Sequence, residues 1–356
     1  MKDRRTTGEQ STSAARLALE KIAVIFCSSQ NTPQGREQET VADREVIEVA
    51  AAVCQSLKET GYCVDVIDLN PARIPDLRAY DWVFNLTETI YGFPLTDFEI
   101  ASQMQHHHVR FTGSGAHALK NCLDKAATKA LLLKNGVNTP EYSVIHPGDP
   151  LCTACRYPVI VKPVHEDGSI GITHDSIAWQ AEDLAPRVEH IHRLYQQPAL
   201  VEEYIEGRDI TASILGNGPG AVILPLSEIL YRNFPGPNVL TFEAKWLADS
   251  PEYQHSVVRC PAVLEPELAD TIRRIALQAY TIMGCADYAR IDFRVCDQTP
   301  YVLEINPNPC INPFDSGFVR SAAAAGFEYT GLVHQILIES VKNHPNGTGK
   351  AATGAG

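Results

Sequence analysis

Apolar residues recur along this chain in two rhythms, and their alternation lays out the elements. A short apolar run at 21–26 (KIAVIF) predicts a buried strand, and 62–69 and 82–86 read as two more strands. Between the first two, Val46, Val49, Ala50, Val53 and Leu57 recur at helical spacing over 41–60, with Gly61 as the stop. Strand, helix, strand in that order predicts a parallel sheet with right-handed crossovers, occupying residues 21–115. A helix is predicted over 116–135, where Leu119, Leu123, Ala126, Ala130 and Leu133 share one side and Gly136 ends the run. YPVIVKP, residues 157–163, reads as a strand with Val159 and Val161 on one face and Ile160 and Lys162 on the other. ALVEEYIEG and RDITASIL follow as a strand, a turn at Gly207 and a returning strand, closing a central lobe of 116–215. Helical spacing over 265–283 and 329–343 then frames a third lobe of 216–343. Residues 1–20 and 344–356 are expected as a disordered lead and tail.

The third lobe carries the densest chemistry, in the stretch DYARIDFRVCDQTPYVLEINPNPCIN of residues 287–312. Two strands flank a polar turn at Asp297, Gln298 and Thr299, and their side chains alternate with period two. Ile291, Phe293 and Val295 point one way on the first strand, as Tyr301, Leu303 and Ile305 do on the second. Arg290, Asp292, Glu304 and Asn306 point the other way. With the hairpin symmetric about Gln298, Asp292 falls opposite Glu304, and two like charges in register repel unless a cation lies between them. Two carboxylates alone fit a solvated outer face equally well. Asn306 and Arg290 on the same face favour a metal–phosphate site, with hard oxygen ligands suited to magnesium.

Composition narrows the field. A chain of 356 residues, 44% hydrophobic, holds material for two or three lobes. A net charge of −13 argues against a nucleic-acid surface, which wants a basic stripe. No apolar run reaches the roughly 18 residues of a membrane span, and the polar N-terminus has no signal-peptide core. Ten cysteines without a repeating spacing read as free thiols in a cytoplasmic protein. Cys152 and Cys155 form a lone CxxC pair, short of the about four ligands of a zinc site.

Lys162 at the end of a buried strand is costly without an anionic partner. After it, the small polar run through Gly168, Ser169, Ile170 and Gly171 suits either a plain turn or a loop whose N–H groups approach phosphate. Lys125 on its helix is as readily a solvated side chain. Lys245 lies in a Gly/Pro/Asn-rich region expected to be mobile. His106, His107 and His108 read as a surface run before a turn rather than as a base.

Taken in order, these pieces resemble the ATP-grasp ligases, and within them the D-alanine–D-alanine ligases. The resemblance spans 21–343 and is most specific in FTGSG…LDKAATKALLLKNGVNTPEY, in YPVIVKP with its GSIG loop, in LVEEYIEGRDIT and in ARIDFRV…YVLEINPNP. It implies a mixed α/β and α+β fold of three lobes, the ATP-grasp fold, with an N-terminal parallel-sheet domain and ATP held between the other two. It implies ATP and magnesium, or manganese in its place, as cofactors, and amino-acid-like small molecules as substrates. It leaves a homodimer open as the assembly and calls for neither nucleic acid nor membrane. Lys125 and Lys162 match lysines that hold ATP phosphates, and Gly168-Ser169-Ile170-Gly171 matches the loop closing over them. Glu202 matches the acid at the adenine amino group, with Glu203 and Ile205 offering backbone contacts and Tyr204 packing beside the base. Asp209 falls where the family has a ribose-binding glutamate, and Lys245 matches a phosphate-contacting lysine. Asp292, Glu304 and Asn306 match the magnesium ligands. Arg290 matches the arginine that steadies the tetrahedral intermediate, so that Arg290, Lys245 and Lys162 are the implied catalytic groups.

Three departures stand out. A Gly-Gly-x-Ser-x-Glu turn after the first strand is replaced by Cys27-Ser28-Ser29-Gln30 and a longer polar insertion, in which Asp43-Arg44-Glu45-Val46 echoes the acid. The His-Gly-rich loop after the third strand becomes residues 86–92, LTETIYG, and a glycine near the metal motif becomes Cys310. All three fall where the family holds amino-acid substrates rather than ATP. The chain is therefore expected to be an ATP- and magnesium-dependent, ADP-forming carboxylate–amine ligase working through an acyl phosphate. An ATP-grasp kinase and a non-catalytic nucleotide-binding protein are the alternatives.

Overall fold

The computed structural model describes residues 17–28, 40–69, 74–88, 96–151, 156–232 and 236–344. Residues 1–16 of the expected lead, the expected tail beyond 344, the Cys152/Cys155 pair and most of the two altered N-terminal loops lie outside them. The end of the lead is ordered, with Leu19 buried in the first-lobe core and Leu17 N donating to the Tyr62 hydroxyl at 3.0 Å.

The first lobe is built on β1 (Lys21–Phe26), α1 (Thr40–Glu59), β2 (Cys63–Asp68) and β3 (Trp82–Asn85). The strands form a parallel sheet in the order β2-β1-β3. β1 shows why an unbroken apolar run was needed. Ile22, Val24 and Phe26 pack against the buried face of α1, while Ala23 and Ile25 pack against α2 (Asp97–His106) through Ile100 and Met104. Burial of each such side chain contributes about 1.5–3 kcal/mol.

The predicted helix over 116–135 is two helices, α3 (Ala116–Leu123) and α4 (Lys125–Lys134). Asp124 leaves helical geometry (φ −86°, ψ 100°) and caps the second, accepting from Ala127 N at 2.9 Å. Its short carboxylate competes with the helix for backbone donors, which periodicity does not register. The second lobe continues through β4 (Tyr142–Ile145), β5 (Val159–Pro163), β6 (Ile177–Ala178), α5 (Ala181–Tyr195) and β7 (Ala199–Glu203). Its antiparallel sheet has the order β4-β7-β5-β6. Val159 and Val161 pack with Leu184, Val188 and Ile191 of α5, as their alternation predicts.

The third lobe begins at β8 (Arg208–Leu215), one strand earlier than expected. The turn at Gly207 is no hairpin, because β7 and β8 lie in different sheets and the chain crosses between them. Gly207 is needed there for closeness: a Cβ would sit 2.2 Å from the carbonyl oxygen of Val295. The remaining elements are β9 (Val222–Ile223), β10 (Ser227–Tyr231), α6 (Phe242–Trp246), α7 (Pro251–His255), β11 (Ser256–Arg259), α8 (Pro266–Met283), β12 (Tyr288–Cys296), β13 (Thr299–Asn306), α9 (Gly317–Ala324) and α10 (Tyr329–Asn343). The sheet order is β11-β10-β8-β12-β13, with β9 paired to β8. Helix α8 covers one face, burying Ile272, Ala276 and Met283 against Ile291, Phe293, Val302 and Ile305. The other face of this sheet looks into the cleft.

Candidate active site

A cavity of about 700 Å³ opens between the second and third lobes. It is lined by Lys125, Lys162, Ser169, Ile170, Glu202, Glu203, Tyr204, Ile205, Asp209, Lys245, Arg290, Asp292 and Glu304. Thirteen of the sixteen residues expected at the site thus share one wall system. Asn306 joins them by donating to Asp292 (3.0 Å), and Gly168 and Gly171 complete the loop around Ser169 and Ile170. Gly168, Ser169 and Gly171 all have positive φ (64°, 65° and 77°), the conformation that favours glycine.

One end of the cavity is organised by Glu202, which is 3% exposed. It forms ion pairs with Lys162 from β5 and with Lys129 from α4, the latter at 2.7 Å. Lys129 is fully buried and also donates to Thr139 Oγ1 at 2.6 Å. Burial pushes the Lys129 ammonium down to about 8, against the pull of Glu202, and the charge of Lys162 pushes the same way. Burial alone would raise the pKa of Glu202, but the two lysines hold it below the usual carboxylate value. One carboxylate between two ammonium groups leaves a net positive charge beside the cavity.

Lys125 is the hub of the other end. From the first turn of α4 its Nζ donates to Glu304 Oε1 (2.5 Å), Asp167 Oδ1 (3.0 Å) and the Glu166 carbonyl (2.5 Å). It thereby ties the glycine loop to the third-lobe hairpin. Burial opposes its charge, but Glu304 and Asp167 outweigh it and hold its pKa above the ordinary lysine value. Lys245 comes from α6, which Thr241 caps and which is fastened to the glycine loop by Trp246 Nε1 donating to Gly168 O (2.8 Å) and Phe242 N to Ile172 O (3.1 Å). Burial and the neighbouring Arg290 lower the pKa of Lys245.

The hairpin places Asp292 opposite Glu304 and Arg290 opposite Asn306, as expected. Its turn is shorter than expected. Asp297 and Gln298 alone form it, both at positive φ (45° and 65°), and Thr299 already pairs with Cys296. A bulge between Asp292 and Phe293 absorbs one residue of β13, so Leu303 opposes nothing. Consequently Val302 joins Ile305 in the core, while Leu303 lines the cleft, which corrects the expected grouping of Tyr301, Leu303 and Ile305.

These elements match known proteins as a set. A family model described as the D-ala D-ala ligase C-terminus matches residues 133–338, more than half of the 356-residue chain. The chain belongs to the D-alanine–D-alanine ligase family. It is 35% identical over 319 residues to the uncharacterized protein y4sG of Sinorhizobium fredii, covering 86% of this chain and 88% of that one. It is 30% identical over 331 residues to the D-alanine–D-alanine ligase of Bordetella petrii, covering 91% and 93%. The solved D-alanine–D-alanine ligase of Bacillus anthracis complexed with ATP aligns with a TM-score of 0.72 at 22% identity, covering 92% and 99%. That last likeness speaks to the fold, which is ATP-grasp. Family membership supports an ATP-dependent ligase in general terms.

Within this D-alanine–D-alanine ligase family member, the expected repulsion between carboxylates is met by the protein's own cations. Arg290 grips Asp292 with two bonds (2.8 and 2.7 Å), and Lys125 neutralises Glu304. The inference that only a metal could reconcile the two acids is therefore corrected. The donor set still fits magnesium, being two carboxylates and a carboxamide on one hairpin face. Asn306 turns its N–H toward Asp292, so its amide would have to present the oxygen to a cation.

Three participants escaped the sequence reading. Lys129 follows Lys125 by four residues and so shares its helix face, a spacing that could have flagged it. Tyr231 and Arg294 engage Asp209, the first donating at 2.5 Å and the second paired at 3.2 Å. Nothing in the local pattern of β10 or β12 announces that pairing, which depends on strands far apart in sequence. Among the described residues no helix is long and apolar enough to cross a membrane, and the eight described cysteines are free.

Proposed function

We propose that this protein is an ATP- and magnesium-dependent, ADP-forming ligase that joins an amino-acid carboxylate to an amine. The observation that carries the reading is Lys125, which links the glycine loop to Glu304 of the Arg290–Asp292 hairpin inside one cleft. Such a junction suits a phosphoryl group passing between nucleotide and carboxylate. In this reading the substrate carboxylate attacks the γ-phosphorus of ATP and ADP leaves, giving an acyl phosphate. The amine then attacks the acyl carbon, inorganic phosphate leaves and an amide remains. Lys125, Lys162 and Lys245 orient and neutralise the phosphate oxygens. Arg290 holds Asp292 in the resting site and steadies the oxyanion of the tetrahedral intermediate, a role worth about 3–4 kcal/mol in comparable sites. Asp292, Glu304 and Asn306 would hold magnesium, which supplies charge screening on the phosphates when bound.

The substrate end departs from the pattern of enzymes that join two D-alanines, and we propose that at least one position takes a different amino acid or carboxylate. Glu45 of α1 accepts from Asn312 Nδ2 at 2.5 Å and from the Cys310 thiol at 3.6 Å. Burial pushes that thiol well above its ordinary range, which keeps it neutral. A pocket built around such polar groups rejects poorly matched analogues by large factors. The test measures ADP release and product identity for D-alanine alone and for D-alanine paired with an amine panel. D-alanine alone forming dipeptide as fast as any mixture overturns the altered specificity. A phosphorylated acceptor without amide would instead mark a kinase.

A further inference from the structure

The glycine loop has a rear side. A second cavity, of about 580 Å³, lies behind it, and Ile170 and Ile172 belong to the walls of both cavities. Its remaining walls are α5, Val161 of β5 and the start of α6. Buried Val161, Ile191 and Phe242 join the two isoleucines as an apolar lining. Charge stands closer to solvent: Arg187 on α5, Asp175 in the segment after the loop, and half-buried Glu243 on α6. The loop is seated on α5 at Gly171, where a Cβ would lie 2.9 Å from Pro163 Cγ and 3.1 Å from the Tyr195 ring. It is fastened to α6 by Trp246 Nε1 on Gly168 O and by Phe242 N on Ile172 O.

The charges of the main cleft are largely matched, with Glu202 between two lysines and Lys125 between two acids. Those of the rear cavity are not. Among the described residues the carboxylates of Asp175 and Glu243 take part in no hydrogen bond or ion pair. Arg187 gives Nη1 to the Asp183 carbonyl (2.6 Å), with the Asp183 carboxylate at 3.9 Å, and its Nε has no partner. A purely apolar ligand would strip water from these groups and return nothing. A lone anion meets Asp175 and Glu243, and a lone cation meets Arg187. A molecule carrying both charges on an apolar body answers all three. The cavity's size falls within the roughly 300–1,000 Å³ of small-molecule sites. We propose that it binds a small zwitterion, an amino acid or dipeptide with an apolar side chain, and that the bound molecule tightens nucleotide binding from behind the loop. The carboxylate lies on Arg187 and the ammonium on Glu243 and Asp175. Such a ligand touches loop, α5 and α6 together only while the loop and α6 are joined. That is the arrangement in which the loop and Lys245 face the cleft side by side, so occupancy of either cavity favours the other. This coupling rests on the nucleotide reading of the main cleft.

The experiment titrates leucine and leucyl-leucine by calorimetry into the native protein, Arg187→Gln and Glu243→Gln. A non-hydrolysable ATP analogue is then titrated with and without each probe at saturation, in the presence of magnesium. Isoamylamine and 4-methylpentanoate carry one charge each on the same hydrocarbon and serve as controls. At least one zwitterion is expected to tighten native analogue binding about fivefold or more, the low end of ordinary allosteric coupling. Which one acts separates a free amino acid from a dipeptide. Each variant is expected to bind that zwitterion about tenfold or more weakly and to lose the tightening, while binding the analogue alone within about threefold of native. The two substitutions lie on separate elements, so one failing to fold leaves the other. Analogue affinity that neither zwitterion moves overturns the proposal. So does tightening that survives in a folded variant, since the zwitterion then acts from elsewhere. Equal tightening by either singly charged control overturns the zwitterion assignment. If the analogue does not bind the native protein at all, the nucleotide reading fails. Zwitterion binding that the variants remove then still supports the rear site, and its absence overturns that site as well.

Discussion

Lys162 and Glu202 touch the same ion cluster, yet removing one or the other should have opposite consequences. Lys162→Met takes a cation from the cleft wall and leaves Glu202 paired with Lys129 at 2.7 Å. No buried charge is orphaned, and a like charge that depresses Lys129 disappears. The expected loss of apo stability is about 1 kcal/mol, the lost charge-assisted bond being partly offset by relief of Lys129, while affinity for a non-hydrolysable ATP analogue falls about tenfold or more with the loss of a phosphate contact. Glu202→Gln leaves two ammonium groups facing a neutral amide. The drop of Lys129 from 10.5 to about 8 already disfavours its charge by about 3 kcal/mol. Without Glu202 it sheds its proton at pH 7, which caps its total cost at about 5 kcal/mol and its added cost at about 1.4. Loss of the charge-assisted bond to Lys162 adds about 1–2 kcal/mol. Urea denaturation should therefore show Glu202→Gln about 2–4 kcal/mol less stable than the native protein. Calorimetric titration of the analogue supplies the other half of the comparison. Equal destabilisation by both variants, with analogue affinity intact in Lys162→Met, would refute the assignment of Lys162 to the ligand.

Asp292→Asn and Glu304→Gln are each expected to cut ADP release about 100-fold or more while the circular dichroism spectrum stays native, because each removes one hard-oxygen ligand from the hairpin face. Near-native turnover by either variant at ordinary magnesium rules out the metal assignment. A pH effect follows from Lys129, whose folded pKa of about 8 lies below the unfolded value. Between about pH 8 and 10.4 the unfolded chain keeps a proton that the folded chain has released, so this group makes stability rise with pH. Denaturation at pH 7.5 and 9.5 should show a gain of about 1–2 kcal/mol in the native protein relative to Lys129→Met, and identical slopes would contradict it.

Much of the fold is legible where one residue type has one physical option. The run KIAVIF could only be a strand covered on both faces, and it is. Helix α8 follows from apolar spacing and stops at Gly284, whose φ of 69° suits glycine. Legibility fails where a local preference competes with the pattern or where the partner is remote. Asp124 breaks a continuous helical stripe because its carboxylate satisfies the next helix's first donors. Gly207 looks like a hairpin turn, but only the register of β8 against β12 shows that the chain is leaving one sheet for another. Lys129 looks like a surface lysine until β7 places Glu202 beside it.

The hairpin shows how a correct pairing can follow from incorrect reasons. Symmetry about Gln298 requires paired positions to keep one constant sum, and Asp292 with Glu304 satisfies it. Near the turn the symmetry is absent: Cys296 pairs with Thr299 and Phe293 with Val302, a register one residue shorter. Continued inward, that register would set Asp292 against Leu303 and turn Glu304 toward the core beside Ile291. The bulge restores the longer register at the one place where it matters. Strand side chains alternate with period two, so a single inserted residue exchanges the faces of everything beyond it. Leu303 is that residue. It accepts a position in the cleft wall so that Glu304 and Asn306 share a face with Arg290 and Asp292, within reach of Lys125. The two-residue turn sets the strands' twist, and the bulge re-aims the chemistry that the turn alone would have buried.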